Sequence, residues 1–196
     1  MAQLVARTHG VREAVGSSPT TPTSELPMST LHGSIKRHKF HGAVERFDVV
    51  ADFVFSTYGK RIKYIADVAG GQGMLTRILR KKYNYEAEVV DPRGITLVGV
   101  PGIKTLFDKD LAYNYDLIIG LHPDDATRAV AEGATIKPAI LIPCCNFWDQ
   151  TRTLGRDALL DEISKFYDEN NVKYRKVTFD FNSSKNIGLV SEPNPL

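Results

Sequence analysis

Between Val44 and Phe55 the apolar residues Val44, Phe47, Val50, Ala51, Val54 and Phe55 recur at spacings of three and four, which predicts a helix over residues 42–57 with one apolar face. Beyond it, short apolar runs alternate with helical stretches. Residues 64–69 read as a strand, 75–82 as a helix, 87–90 as a strand and 103–107 as a short strand. The runs at 115–120 and 139–142 are almost continuously apolar, as expected of strands buried on both faces of a parallel sheet, and a helix over 126–132 separates them. A last helix over 156–170 carries Leu159, Leu160, Ile163 and Phe166. Two alternating runs, 173–181 and 186–190, follow it and are expected to close a hairpin across Asn182-Ser183-Ser184. Strand, helix, strand in repetition predicts an α/β domain with a mostly parallel sheet.

A length of 196 residues at 42% hydrophobic suits a single core. Residues 1–27 end in a Ser/Thr/Pro cluster and carry no sustained period, so they read as a flexible tail; Met28 offers a second start, and the preceding stretch need not belong to the native protein. The competing reading is a transit peptide, on Arg7, Arg12 and the scarcity of acids. Residues 28–63 form a basic, helical N-terminal segment ahead of the domain at 64–196. No run approaches the roughly 20 apolar residues of a membrane-spanning helix, so a soluble, cytoplasmic protein with no membrane partner is expected. The two cysteines are neighbours, Cys144 and Cys145, and cannot staple distant segments. A net charge of +2 does not by itself announce a nucleic-acid binder.

The strongest chemical signal is Asp67-Val68-Ala69-Gly70-Gly71-Gln72-Gly73, placed between a predicted strand and a predicted helix. Glycines there let a backbone pass close to a ligand and expose the first amides of the following helix. Thr76 stands where the dinucleotide fingerprint requires its third glycine, and there is no GxxxxGK[ST], so those two readings are demoted. Asp91 closes the next strand. A carboxylate there can accept both hydroxyls of a ribose lying across the strand ends, or it can cap the turn before Pro92.

These residues resemble the first two motifs of the class I S-adenosylmethionine-dependent methyltransferases, with Ala69 where the first glycine usually stands. The resemblance implies a three-layer sandwich with a seven-stranded, mostly parallel sheet, one strand of the final hairpin running antiparallel. It implies S-adenosylmethionine as cofactor, lying against Ala69, Gly70, Gly71, Gly73 and Leu121. Asp67 would help hold the cofactor's amino group, Asp91 its ribose and Asp108, in competition with Asp110, its adenine. Gly120-Leu121-His122 and Pro143-Cys144-Cys145 look like the GLH and PCC motifs of a branch that includes RNA methyltransferase-like proteins, although Pro123-Asp124-Asp125 replaces the Cys-Gly-Asp that often follows GLH. The likeness spans about residues 36–190.

Side chains converge on a ligand at the strand ends of an open α/β sheet, so His122, Asp124, Cys144 and Asn146 are expected to share one crevice. His122 is the candidate base, or a group that orients the acceptor by hydrogen bonding. Asp124 either contacts substrate or caps the helix that follows. Asn146-Phe147-Trp148 is weakly similar to the Asn-Pro-Pro-aromatic motif of amino-group methyltransferases, which makes Asn146 the candidate acceptor-orienting group and Phe147 a stacking ring. Cys144 is expected to line the acceptor pocket, and no metal site is expected, because adjacent cysteines point apart and no second ligand pair exists. Lys36, Arg37, Lys39 and His41, interleaved with Phe40, suit phosphates and a base, making RNA the favoured acceptor, with a small molecule, a protein side chain, or a noncatalytic cofactor- or RNA-binding role as the alternatives. Arg77, Arg80, Lys81 and Lys82 either extend that patch or keep a helix face wet.

Overall fold

The computed structural model describes residue 40 and residues 42–192. The tail at 1–27 and the basic residues Lys36, Arg37, Lys39 and His41 lie outside the described residues. Seven strands make one sheet: β1 (Tyr64–Val68), β2 (Glu86–Val90), β3 (Gly102–Ile103), β4 (Leu117–Leu121), β5 (Ala139–Ile142), β6 (Lys173–Thr178) and β7 (Ile187–Glu192), in the order β3-β2-β1-β4-β5-β7-β6. Neighbours from β3 to β5 are parallel, and β7 runs antiparallel to both β5 and β6.

Alternation along the strands sends side chains to two helical layers. Ile65, Leu117, Ile119, Ile140 and Ile142 meet α1 (Arg46–Tyr58) and α2 (Met74–Tyr83), which bring Phe47, Val50, Val54, Leu75 and Leu79. Ala66, Ile118, Ala139 and Leu141 point the other way, toward α3 (Thr127–Gly133) and α4 (Arg156–Glu169), and pack with Val130, Leu159, Leu160 and Ile163. The result is three layers, with β4 and β5 buried on both faces as their apolar runs require.

The short third strand departs from expectation. It holds two residues rather than spanning 103–107, and it pairs only Val89 with Gly102 and Val90 with Ile103. Its partner β2 ends at Val90, and Pro92 has no N–H to carry the ladder on. Leu106 therefore turns outward while Phe107 enters the core. On α2, Arg80 pairs with Glu86 and Lys82 with Asp52, so half of the cationic run there is neutralised locally.

Among the described residues no helix is long and apolar enough to cross a membrane.

Candidate functional site

The strand order reverses between β1 and β4, and the carboxyl ends of two strands that leave such a point in opposite directions open a crevice. Three of the non-glycine residues with positive φ among the described residues stand there: Ala69 (+53°) after β1, and His122 (+56°) and Asp124 (+47°) after β4. Backbone held in this region is costly for a side-chain-bearing residue and marks sites where geometry is over-determined by its surroundings. Two cavities meet at these ends. One of about 460 Å³ is lined by Arg46, Asp67, Gly71, His122, Cys144 and Lys185, among others. The other, of about 340 Å³, is more apolar, with Pro92, Leu106, Phe107, Ala126 and Ala129 in its wall. Ala69, Arg93 and Asp124 line both, so the two adjoin along one crevice.

The glycine turn is drawn tightly around two acids. Asp67, 2% exposed, accepts hydrogen bonds on Oδ2 from the backbone N–H (3.2 Å) and the hydroxyl (2.8 Å) of Thr76, the residue that breaks the dinucleotide fingerprint. Burial, partly offset by these bonds, pushes its carboxyl up to about 6. A Cβ on Gly70 would sit 2.5 Å from this carboxylate, and one on Gly73 (φ +76°) would sit 2.7 Å from the side chains of Val89 and Val100, so neither position admits a side chain without movement.

Asp91, 1% exposed, turns toward the bend: its Oδ2 accepts the N–H of Gly71 at 3.0 Å. The turn-capping alternative holds as well, since Oδ1 accepts the N–H of Arg93 at 2.9 Å. The Arg93 guanidinium completes the set with Nε on Oδ1 (2.9 Å) and Nη2 on Oδ2 (2.6 Å). These donors outweigh the effect of burial and hold the carboxyl below its usual range. A carboxylate offers about four lone-pair sites, so Asp91 is full, two of its four partners coming from a side chain that is itself 59% exposed.

At the β4 end, the ring of His122 meets the backbone carbonyl of Lys185 at 3.0 Å through Nε2. A carbonyl only accepts, so in the neutral ring the proton sits on Nε2 and Nδ1 keeps its lone pair. Burial, together with Arg46 and Lys185, lowers the imidazole's pKa. Asp124 does not cap the turn that follows it; its carboxylate accepts the Cys144 thiol at 3.0 Å across the cavity. Burial and that carboxylate push the thiol up to about 12. Cys145 lies beside Cys144 and takes the Lys185 ammonium on its sulfur at 3.3 Å.

Of the residues singled out in the sequence, the crevice gathers Asp67, Ala69, Gly70, Gly71, Asp91, Leu121, His122, Asp124 and Cys144. Four others do not line it: Gly73 stands behind the bend against Val89 and Val100, and three go elsewhere. Asn146 spends most of its amide on its own loop, Nδ2 donating to the carbonyls of Asp149 and Arg152 and Oδ1 accepting the N–H of Asp149, which fixes the side chain outside both cavities. Phe147 is half-buried outside both cavities, while its neighbour Trp148 packs against Phe166 and under Arg128. Asp108 caps the turn at Leu111–Asn114 by accepting the N–H groups of Asp110 and Leu111, and the apolar cavity is walled without it. Sequence reasoning missed Arg46, Arg93 and Lys185. Arg93 had a local signal, standing two residues after a strand-end acid, whereas the other two reach the crevice only by packing.

No protein-family profile and no curated protein matches the sequence. Solved structures do share its architecture. The sugar N-methyltransferase KedS8 from a Streptoalloteichus species is similar at a TM-score of 0.51, with 15% identity over 93% of this chain and 100% of that one. The shared fold is Rossmann-like, a seven-stranded, mostly parallel sheet with flanking helices. A chain of the Pnkp1/Rnl/Hen1 RNA repair complex is similar at a TM-score of 0.50, with 12% identity over 80% of this chain and 43% of that one. At such identities the likeness is one of fold, and the chemistry has to be argued from the crevice.

Proposed function

We propose that the chain is an S-adenosylmethionine-dependent methyltransferase that transfers a methyl group to an oxygen or nitrogen acceptor, with RNA the favoured substrate. The observation that carries this reading is the carboxylate of Asp91, buried at the end of β2 and turned onto the Gly71 amide at the mouth of an apolar cavity. A ribose placed over the bend would meet this acid, with a flat base in the cavity walled by Pro92, Leu106 and Phe107. Asp67, whose Oδ1 takes no hydrogen bond from the described residues, would take the cofactor's ammonium group. The polar cavity lined by His122, Asp124 and Cys144 would then receive the acceptor.

The bound cofactor supplies an electrophilic methyl group whose transfer to a lone pair leaves a neutral thioether. The protein's own part is alignment, exclusion of water and disposal of one proton. His122, with Nδ1 unengaged among the described residues and burial favouring its neutral form, accepts that proton from the acceptor oxygen or nitrogen. The preference for RNA rests on the basic residues Lys36, Arg37, Lys39 and His41 immediately before the domain.

Calorimetric titration with S-adenosylmethionine and S-adenosylhomocysteine tests the first claim: heat of binding from both is expected, and silence toward both overturns it. Incubation with methyl-labelled cofactor and either total cellular RNA or an RNA-free extract tests the second, with label expected in the RNA. His122→Ala is expected to bind the cofactor as the parent does and to lose at least tenfold in turnover; full activity would reduce His122 to a structural hydrogen-bonder.

A further inference from the structure

Arg46 opens α1, yet its side chain is 9% exposed and forms part of the wall of the polar cavity. Nη1 donates to the Ala43 carbonyl at 2.6 Å, and the guanidinium lies 4.3 Å over the ring of Phe47. Nε is buried with no hydrogen-bond partner, and among the described residues no carboxylate forms an ion pair with this arginine. Its neighbour Glu45 reaches instead for the backbone N–H of Asn182 at 3.3 Å. Burial of a cation is costly, and it lowers the pKa of Arg46 although the neighbouring Glu45 charge partly offsets it.

A second cation stands on the same wall. Lys185 contributes its carbonyl to His122 and donates its ammonium to the Cys145 sulfur, with no carboxylate ion pair among the described residues. The cavity does contain two acids, but Asp67 is committed to Thr76 and Asp124 to the Cys144 thiol. The charges that act on His122 are Arg46, Lys185 and Asp124, which gives this end of the cavity a positive balance. Both cations line the cavity together with His122 and Cys144, at the ends of β4 and β5, and both influence the Cys144 thiol.

We infer that this end of the cavity is a subsite for an oxyanion, a phosphate ester or a carboxylate, carried by the methyl acceptor, with Arg46 and Lys185 as its counter-charges. The inference rests on the methyltransferase reading for the word acceptor, and on the geometry alone for the anion. It also gives the substrate a part in its own activation. An anion seated between the two cations removes the repulsion that disfavours a protonated His122, so the imidazole becomes a better base only when an acceptor is in place.

The test is an NMR titration of the His122 ring in the full chain with inorganic phosphate, with and without saturating S-adenosylhomocysteine. Phosphate is expected to raise the midpoint of His122 titration, and Arg46→Met and Lys185→Met are each expected to weaken phosphate binding at least tenfold. Lys81→Met, remote from the cavity, serves as the control and is expected to change nothing. Lys185 lies at the surface, so its variant remains informative if Arg46→Met does not fold. An unresponsive His122, or equal phosphate affinity in Lys185→Met, overturns the subsite. Displacement of phosphate by S-adenosylhomocysteine overturns it too, because Arg46 would then hold the cofactor's own carboxylate. If S-adenosylhomocysteine fails to bind while phosphate still moves His122, the anion site stands and the methyl-transfer reading falls.

Discussion

Asp91 and Arg93, two residues apart, form a two-point ion pair at the spot where a ribose would be held, the acid almost wholly buried and the guanidinium mostly in solvent. Because the backbone amides of Gly71 and Arg93 take the other lone pairs, ribose hydroxyls can reach this carboxylate only by displacing the Arg93 side chain. Arg93→Ala is therefore expected to bind S-adenosylhomocysteine more tightly, by roughly fivefold or about 1 kcal/mol, the usual size of a half-exposed pair. Asp91→Ala is expected to lose about 1–3 kcal/mol of the same binding energy. Calorimetry on both variants checks this, and unchanged affinity in Arg93→Ala would mean that the guanidinium does not compete for the acid.

Asp67 predicts a pH dependence of definite sign. Its folded-state pKa of about 6 lies above the ordinary 3.8, so the folded chain binds the proton more tightly than the unfolded one. The stability it contributes is complete below about 4 and is lost as pH rises through about 6, at up to about 1.4 kcal/mol per pH unit. Asp67→Asn should show no such loss, so its stability relative to the parent should grow across that window and level off above it. Urea unfolding at a series of pH values measures the difference; parallel curves for the two proteins would contradict the raised pKa of the buried Asp67 carboxyl. The same variant is expected to bind the cofactor more weakly, because the ionised acid is needed to pair with an ammonium.

Opposite signs are expected for two neighbouring changes in the bend. Ala69 carries a side chain at φ +53°, a left-handed conformation that costs about 1–2 kcal/mol for an L-residue. Ala69→Gly should remove this strain and, after the entropy cost of glycine, stabilise by about 0.5–1 kcal/mol. Gly73→Ala should destabilise by about 3 kcal/mol, since it adds the same strain to a clash with Val89 and Val100. Denaturant midpoints of the two variants on either side of the parent would confirm the pair.

Adjacent cysteines should differ in reactivity. Cys144 donates its proton to Asp124 and is held as a thiol, whereas Cys145 is exposed beside an ammonium. Iodoacetamide at pH 8 is expected to modify Cys145 first, as read by peptide mass spectrometry. Asp124→Asn should raise the rate at Cys144. First labelling at Cys144 in the parent would mean that the thiol–carboxylate contact is absent in solution.

The layered α/β architecture was legible because each strand and helix announced itself within a dozen residues. The run at 139–142 can only be buried on both faces, and the stripe from Phe47 to Val54 needs a partner sheet whatever that sheet's order. The bend and its two acids were legible for the same reason: glycine and carboxylate at the ends of successive strands act through backbone geometry, which is local. The length of β3 was not, since it depends on where the pairing strand stops.

Local pattern likewise could not assign Asn146. Its motif suggested a free amide, and the path of residues 149–152 closed that amide into a loop. Arg46, Lys185 and His122 lie far apart along the chain, and only the packing of α1 and the β6–β7 connection onto the ends of β4 and β5 makes them one charged wall. Periodicity and backbone freedom are properties of neighbouring residues and can be read from their order. Burial of a charge, the filling of a carboxylate's lone pairs and the choice of which acids meet which cations are properties of space, and they arise when the chain has closed on itself.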